Sequence, residues 1–240
     1  TNPKNFMKTA SLFREFWLLD YTNGFRELYY PPADFLQPTD PATQGRAILN
    51  YYHTRYIVLM KEALYPRWDE AAFQRLIGAV LGPGTQPTYE DALTRVYRVP
   101  DGPPAANPLT LDVGDGWYTA EVGQDGRPYR LADTRGGQDA GLVSMNLTQQ
   151  PLPATLQFTI YPFQQPRTVR VLLDDTELTT LQLRPEDDAR AVTLPLTMPP
   201  GLHHIRLRTP SPSLPTGNVD DARLLSFGVY GVALTAGTAH

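Results

Sequence analysis

The chain has 240 residues, 41% of them hydrophobic, enough for one large core or two small ones, and its 24 prolines and 18 glycines suit many short strands and argue against an all-helical fold. The net charge of −4 contains no block of one sign, and the 18 arginines and three lysines (Lys4, Lys8, Lys61) stand singly, so no nucleic-acid-binding face is indicated. The absence of cysteine excludes disulfides and thiolate metal sites, and no run of 18 apolar residues marks a membrane-spanning helix.

In chain order, residues 1–39 are rich in aromatics and broken by Asn23-Gly24 and Pro31-Pro32. Phe13, Phe16, Trp17 and Leu18 suggest a short helix, and the remainder reads as a loop packed by its rings. The start at Thr1, without Met or signal peptide, reads as a cut or processed one. A helix is expected next: Thr39 or Asp40 serves as N-cap, Pro41 takes the first helical position, and Ala47, Ile48 and Tyr51 recur at helical spacing. Arg55–Lys61, apolar with charged ends, predicts a buried strand. A second helix follows from Trp68 or Asp69, with Phe73, Leu76, Ile77 and Val80 on one face and Gly82-Pro83 as its stop. Leu93, Val96, Tyr97 and Val99 suggest a hairpin or final strand, which closes a small α/β unit over residues 1–100.

"DGPPAANP", residues 101–108, reads as a linker. Beyond it seven or more short strands recur between Asp-Asp, Pro-Gly and Pro-Ser turns. Leu156, Phe158 and Ile160 alternate with Gln157 and Thr159, and Val169, Val171 and Leu173 alternate about Arg170. The expected fold class is therefore α+β: a small α/β unit followed, over residues 109–240, by an antiparallel β-sandwich of jelly-roll type.

Within "GDGWYTAEVGQDGRPYRL" the residues Trp117, Tyr118, Glu121, Tyr129 and Arg130 supply the types that a carbohydrate site uses: aromatic faces for the C–H surface of a sugar ring, and a carboxylate and a guanidinium for its hydroxyls. The competing reading places Trp117 in the sandwich core and makes Glu121 and Arg130 a cross-strand pair. Other candidates carry less. Asp174-Asp175, Asp187-Asp188 and Asp220-Asp221 fall where turns are expected, and a structural calcium at Asp112, Asp115 and Glu121, or beside Asp220 and Asp221, would lack EF-hand spacing. His203 and His204 would face opposite sides of a strand, and His53 and His240 are isolated, so no metal or other cofactor is expected. Ser226 lacks the glycines of a nucleophile elbow, and "NLT" at Asn146 sits inside an expected strand.

"RAILNYYHTRYIVLMKE", "YEDALTRVYRV" and "GWYTAE" followed by Tyr129-Arg130 together resemble the soluble C-terminal tails of bacterial multi-spanning membrane glycosyltransferases of the GT-C type, which use polyprenyl-phosphate sugars, and of related membrane proteins. Arg55–Leu59 and Glu90–Val99 carry the pattern; Leu131 departs from it, where such tails place Trp after the Arg. The catalytic carboxylates of that family lie between early transmembrane helices, so the resemblance implies a non-catalytic domain on the extracytoplasmic face of a bacterial membrane, anchored by transmembrane helices upstream. Its expected partner is a glycan or lipid-linked sugar. Two alternatives stand beside this: a structural or protein-interaction module with an apolar patch from Phe13, Phe16 and Trp17, and a free-standing hydrolase with a site about the 101–108 linker.

Overall fold

Two hydrophobic cores organise the structure, a computed structural model that describes residues 36, 46–47, 49–61, 74, 77–78, 80–101, 108–134, 139–187 and 189–237. The chain divides into one unit of Thr1–Tyr29 with Thr39–Pro108 and another of Tyr30–Pro38 with Leu109–His240. The linker expected before Pro108 falls almost wholly on 102–107, outside the described residues.

The first unit carries strands β1 (Tyr56–Met60), β2 (Tyr89–Glu90) and β3 (Thr94–Arg98), in the order β1-β3-β2 and all antiparallel. Helical residues 46–47, 49–51, 74, 77–78 and 80–81 include Leu49, Ile77, Val80 and Leu81, which bury with Leu59, Tyr97 and Val99. Fully burying one such side chain contributes about 1.5–3 kcal/mol. The fully buried Tyr97 keeps its hydroxyl satisfied by accepting from Gln74 Nε2 at 3.0 Å. Arg46 donates to the carbonyls of Val80 and Leu81 at 3.0 and 2.9 Å and so caps the end of the second helix at Gly82. The strand at 55–61 differs from the buried one expected: Leu59 is buried, but Tyr56 and Val58 are 57% and 56% exposed. A three-stranded sheet covered on one face gives this alternation, which an apolar run alone does not reveal.

The second unit is an antiparallel sandwich. Its strands are β4 (Leu109–Val113), β5 (Glu121–Val122), β6 (Pro128–Leu131), β7 (Ala140–Asn146), β8 (Leu152–Pro162), β9 (Arg167–Leu173), β10 (Thr176–Leu183), β11 (Arg190–Met198), β12 (Gly201–Arg208), β13 (Leu214–Pro215), β14 (Leu224–Leu225) and β15 (Phe227–Ala236). One sheet runs β10-β9-β12-β7-β4, the other β11-β8-β15-β6-β5, and β13 pairs with β14 alone. The chain passes repeatedly between the two main sheets, the habit of a jelly roll. Period-two alternation turns Leu156, Phe158 and Ile160 of β8 inward against Val169 and Val171 of β9, Ile205 and Leu207 of β12 and Phe227 and Val229 of β15. At Val232, where β15 departs from regular register, Leu36 adds a parallel bridge and packs on the same core.

Two arginines are buried inside the sandwich. Arg130 is 3% exposed and donates to Tyr118 O at 2.9 Å. Arg167 is 1% exposed, and its guanidinium donates to the carbonyls of Ser211, Pro212 and Leu225 at 3.3, 2.9 and 3.3 Å. Burial lowers the pKa of Arg167, but a guanidinium stays charged far above neutral pH. Its role is to tie the 209–226 excursion between β12 and β15 to the sheet below.

Candidate functional site

The Gly-rich turn at 114–117 sets which side of the sheet each aromatic reaches. A Cβ at Gly116 (φ +83°) would stand 2.2 Å from Asp139 O, and one at Gly114 would stand 2.9 Å from Gly141 O. Only glycine lets this turn approach the start of β7 so closely. The approach carries Trp117 inward: its indole N–H donates to Gly141 O at 2.7 Å and its ring meets Phe227 edge-on at 6.1 Å. Trp117 thus packs on the core, as does its companion Arg130, in register with the inward Val229.

The other three residues named from the sequence lie together, outside the core. Antiparallel register lines up Ala191, Thr159, Tyr230, Tyr129 and Glu121, one from each strand of the β11-β8-β15-β6-β5 sheet. Tyr129 donates its hydroxyl to Glu121 Oε2 at 2.9 Å. Glu121 therefore pairs with Tyr129 rather than with Arg130, and its other oxygen accepts from Arg223. Arg223 also holds Asp221, at 2.8 Å from Nη2, and lies over the Tyr118 ring at 5.5 Å. The Tyr118 hydroxyl accepts from the Leu224 N–H at 3.2 Å, which joins the 209–226 excursion to the site.

Two residues along, on the same face, Gly228 stands opposite Tyr161, and a Cβ there would meet Tyr161 Cζ at 2.1 Å. The missing side chain lets the Tyr161 ring lie down on β15 beside Tyr230, the two centroids 6.5 Å apart and the planes inclined by 45°. On the far side, the Arg127 guanidinium covers Tyr230 at 4.5 Å from the ring centroid and is held by Asp125 at 2.6 Å. Gln124, Asp125, Arg127, Tyr129, Tyr161 and Tyr230 line a depression of about 400 Å³.

The electrostatics are self-contained. Burial, and then Tyr129 and Glu121, push the Tyr161 hydroxyl well up, and burial with Glu121 raises Tyr129, so both remain neutral donors at pH 7. Asp221 and then Glu121 raise Arg223, and Arg223 lowers Asp221. The backbone N–H of Arg127 and then its side chain lower Asp125.

Sequence reasoning missed Tyr161, Tyr230, Arg127 and Arg223. Alternation about Ile160 and Val229 puts Tyr161 and Tyr230 on the solvent side, but nothing local shows that these strands are neighbours. Asp174-Asp175 and Asp220-Asp221 occupy turns, and Asp174 accepts from His203 Nδ1 at 2.8 Å and from the His204 N–H at 2.9 Å. Asn146 is fully buried, donating to Gln150 O and Met198 O, both at 2.9 Å, so its amide is engaged inside the fold. Ser226 is fully buried in a hydroxyl cluster with Thr134 and Ser213. Among the described residues no three His, Asp or Glu side chains converge to hold a metal, and no helix is long and apolar enough to cross a membrane.

No protein-family model matches the chain, and no curated protein does. Among solved structures it is similar to the Podospora anserina GH26-CBM35 β-(1,4)-mannanase, with 12% identity over 56% of this chain and 29% of that one and a TM-score of 0.35. It is also similar to a CBM4 carbohydrate-binding module, with 15% identity over 55% of this chain and 90% of that one and a TM-score of 0.35. A family 35 carbohydrate-binding module from an environmental isolate matches with 15% identity over 55% of this chain and 99% of its own, at a TM-score of 0.31. The chain thus covers less than a third of the mannanase.

Proposed function

We propose that the sandwich unit binds carbohydrate on the outward face of its β11-β8-β15-β6-β5 sheet. The observation that carries this reading is the convergence of Tyr129, Tyr161 and Tyr230 on one depression bordered by hydroxyl and charged groups. Tilted aromatic faces take the C–H surfaces of a sugar ring, and the flanking groups take its hydroxyls. The reading is tested by affinity electrophoresis and calorimetry of the 240-residue chain against a panel of soluble polysaccharides. Binding that Tyr230→Ala removes supports it; binding that survives Tyr230→Ala and Tyr161→Ala moves the site elsewhere.

A finer layer rests on the sequence resemblance: the chain is the extracytoplasmic, non-catalytic tail of a membrane glycosyltransferase-like protein, and its glycan is the acceptor or the lipid-linked sugar. The coding sequence upstream of Thr1 tests this directly. Several apolar spans of about 20 residues would support it, and a soluble upstream protein would end it.

A second reading, a protein-interaction module, is favoured by one feature of the first unit. Tyr56, Val58, Tyr89 and Leu93 are each about half exposed on its small sheet and the adjoining turn. The patch expected from Phe13, Phe16 and Trp17 lies outside the described residues.

A further inference from the structure

We infer that the tyrosine depression takes a neutral glycan, and that Arg127 serves there as a movable cover over Tyr230 rather than as a receptor for an acidic sugar. The inference rests on the carbohydrate reading above and adds the substrate class. Its first ground is that Arg127, which lines the depression, is already engaged, as is Arg223 behind Tyr129 and Glu121. Arg127 is held through Nε and Nη2 by Asp125, and Arg223 is shared between Asp221 and Glu121. A uronate or sulfate would have to displace the Asp125 carboxylate from Arg127 and then lie beside it, while the nearby Arg223 is already matched by two acids, an arrangement that repels the anion and leaves it poorly solvated. The remaining polar groups of the face, Thr159 and the hydroxyls of Tyr129 and Tyr161, are uncharged and suited to sugar hydroxyls.

The second ground is steric. Tyr230 has Arg127 over its ring and Tyr161 inclined beside it, so the Arg127 guanidinium occupies one place where a sugar would stack. Arg127 comes from the 123–127 turn joining β5 to β6, and its side chain is 61% exposed, so it can swing aside without disturbing the core. A neutral ring then exchanges a cation–π contact for a C–H contact on the same face.

The experiment is affinity electrophoresis of the whole chain in gels containing galactomannan, arabinoxylan or mixed-linkage glucan, set against polygalacturonate and alginate, with Arg127→Gln and Tyr230→Ala as variants. The expected result is retardation by at least one neutral polymer, changing less than about twofold between roughly 50 and 500 mM NaCl. Tyr230→Ala should abolish that retardation, and Arg127→Gln should keep or strengthen it. Binding confined to the polyuronates, weakened steeply by salt and lost in both variants, would overturn the neutral class while leaving the tyrosine site standing. A loss of about tenfold or more for a neutral polymer in Arg127→Gln would make Arg127 a contact and overturn the cover. Binding to no polymer, or binding indifferent to Tyr230→Ala, would sink the site itself and the inference with it.

Discussion

Across the outward face of β10-β9-β12-β7-β4, Arg170, Arg206 and Arg208 each meet a carboxylate, Glu177, Asp175 and Asp139 in turn. Across the outward face of β11-β8-β15-β6-β5, the pleat presents Thr159, Tyr161, Tyr230 and Tyr129 instead. Both sheets turn the same kind of apolar row inward, so the core does not distinguish them. The charged face is typical of a solvated surface whose pairs contribute little each, and the tyrosine face leaves aromatic area beside hydroxyls where a ligand can use it. The two sheets therefore differ in the alternate residues they turn outward, over a common interior.

The largest expected effect breaks the tyrosine face. Tyr161→Ala with Tyr230→Ala should weaken glycan binding by about a hundredfold, as removal of central aromatic anchors does, and calorimetry reads it directly. A smaller effect sharpens the comparison through the backbone. Gly228→Ala should lift the Tyr161 ring off β15, costing about 1 kcal/mol in urea unfolding and about tenfold in affinity. The matching test on the charged face is Arg170→Ala with Arg206→Ala, which should leave glycan affinity within about twofold and each change stability by less than about 0.5 kcal/mol.

Acid separates the faces in a different way. Burial works to raise the Asp174 carboxyl, but the His204 N–H and the His203 ring outweigh it and hold it below its ordinary 3.8. Thr180 and then Arg170 lower Glu177 in the same manner. A carboxyl depressed in the folded state stabilises fully above its unfolded pKa and loses that contribution as pH falls through the folded value. Urea unfolding should therefore show stability level from pH 8 to about 5 and declining below about 4, with a shallower decline in Asp174→Asn. Glycan affinity should stay flat over the level range, because the Tyr129 and Tyr161 hydroxyls are pushed up and Asp125 and Asp221 are held down. An affinity that titrated between pH 5 and 8 would contradict the self-contained site.

How much of this the sequence shows depends on how far apart the cooperating residues lie. The inward row of β8 could be read from Leu156, Phe158 and Ile160, because period-two alternation is local. Glu121 and Tyr129 share a hairpin, so both could be named as candidates from one short stretch. Trp117 could not be assigned a side from its neighbours, since the approach of Gly114 and Gly116 to β7 decides it. Tyr161 and Tyr230 looked like ordinary strand tyrosines until register set them side by side around Gly228. Arg223 lies two residues from Asp221 in the sequence, but its reach to Glu121 depends on an excursion tied down by the buried Arg167. Long-range pairing, invisible in any short window, assembled the site from parts of which only half looked significant alone.

Leu36 has a practical consequence for anyone dissecting the chain. Because it bridges β15 at Val232, the sandwich borrows part of its wall from sequence far upstream of Leu109. A fragment trimmed to begin at Leu109 would bare the backbone of β15 at Val232, an opening for pairing with a second molecule. Such a fragment should form oligomers or precipitate where one retaining residues 30–38 in trans, as a peptide, stays monodisperse by light scattering.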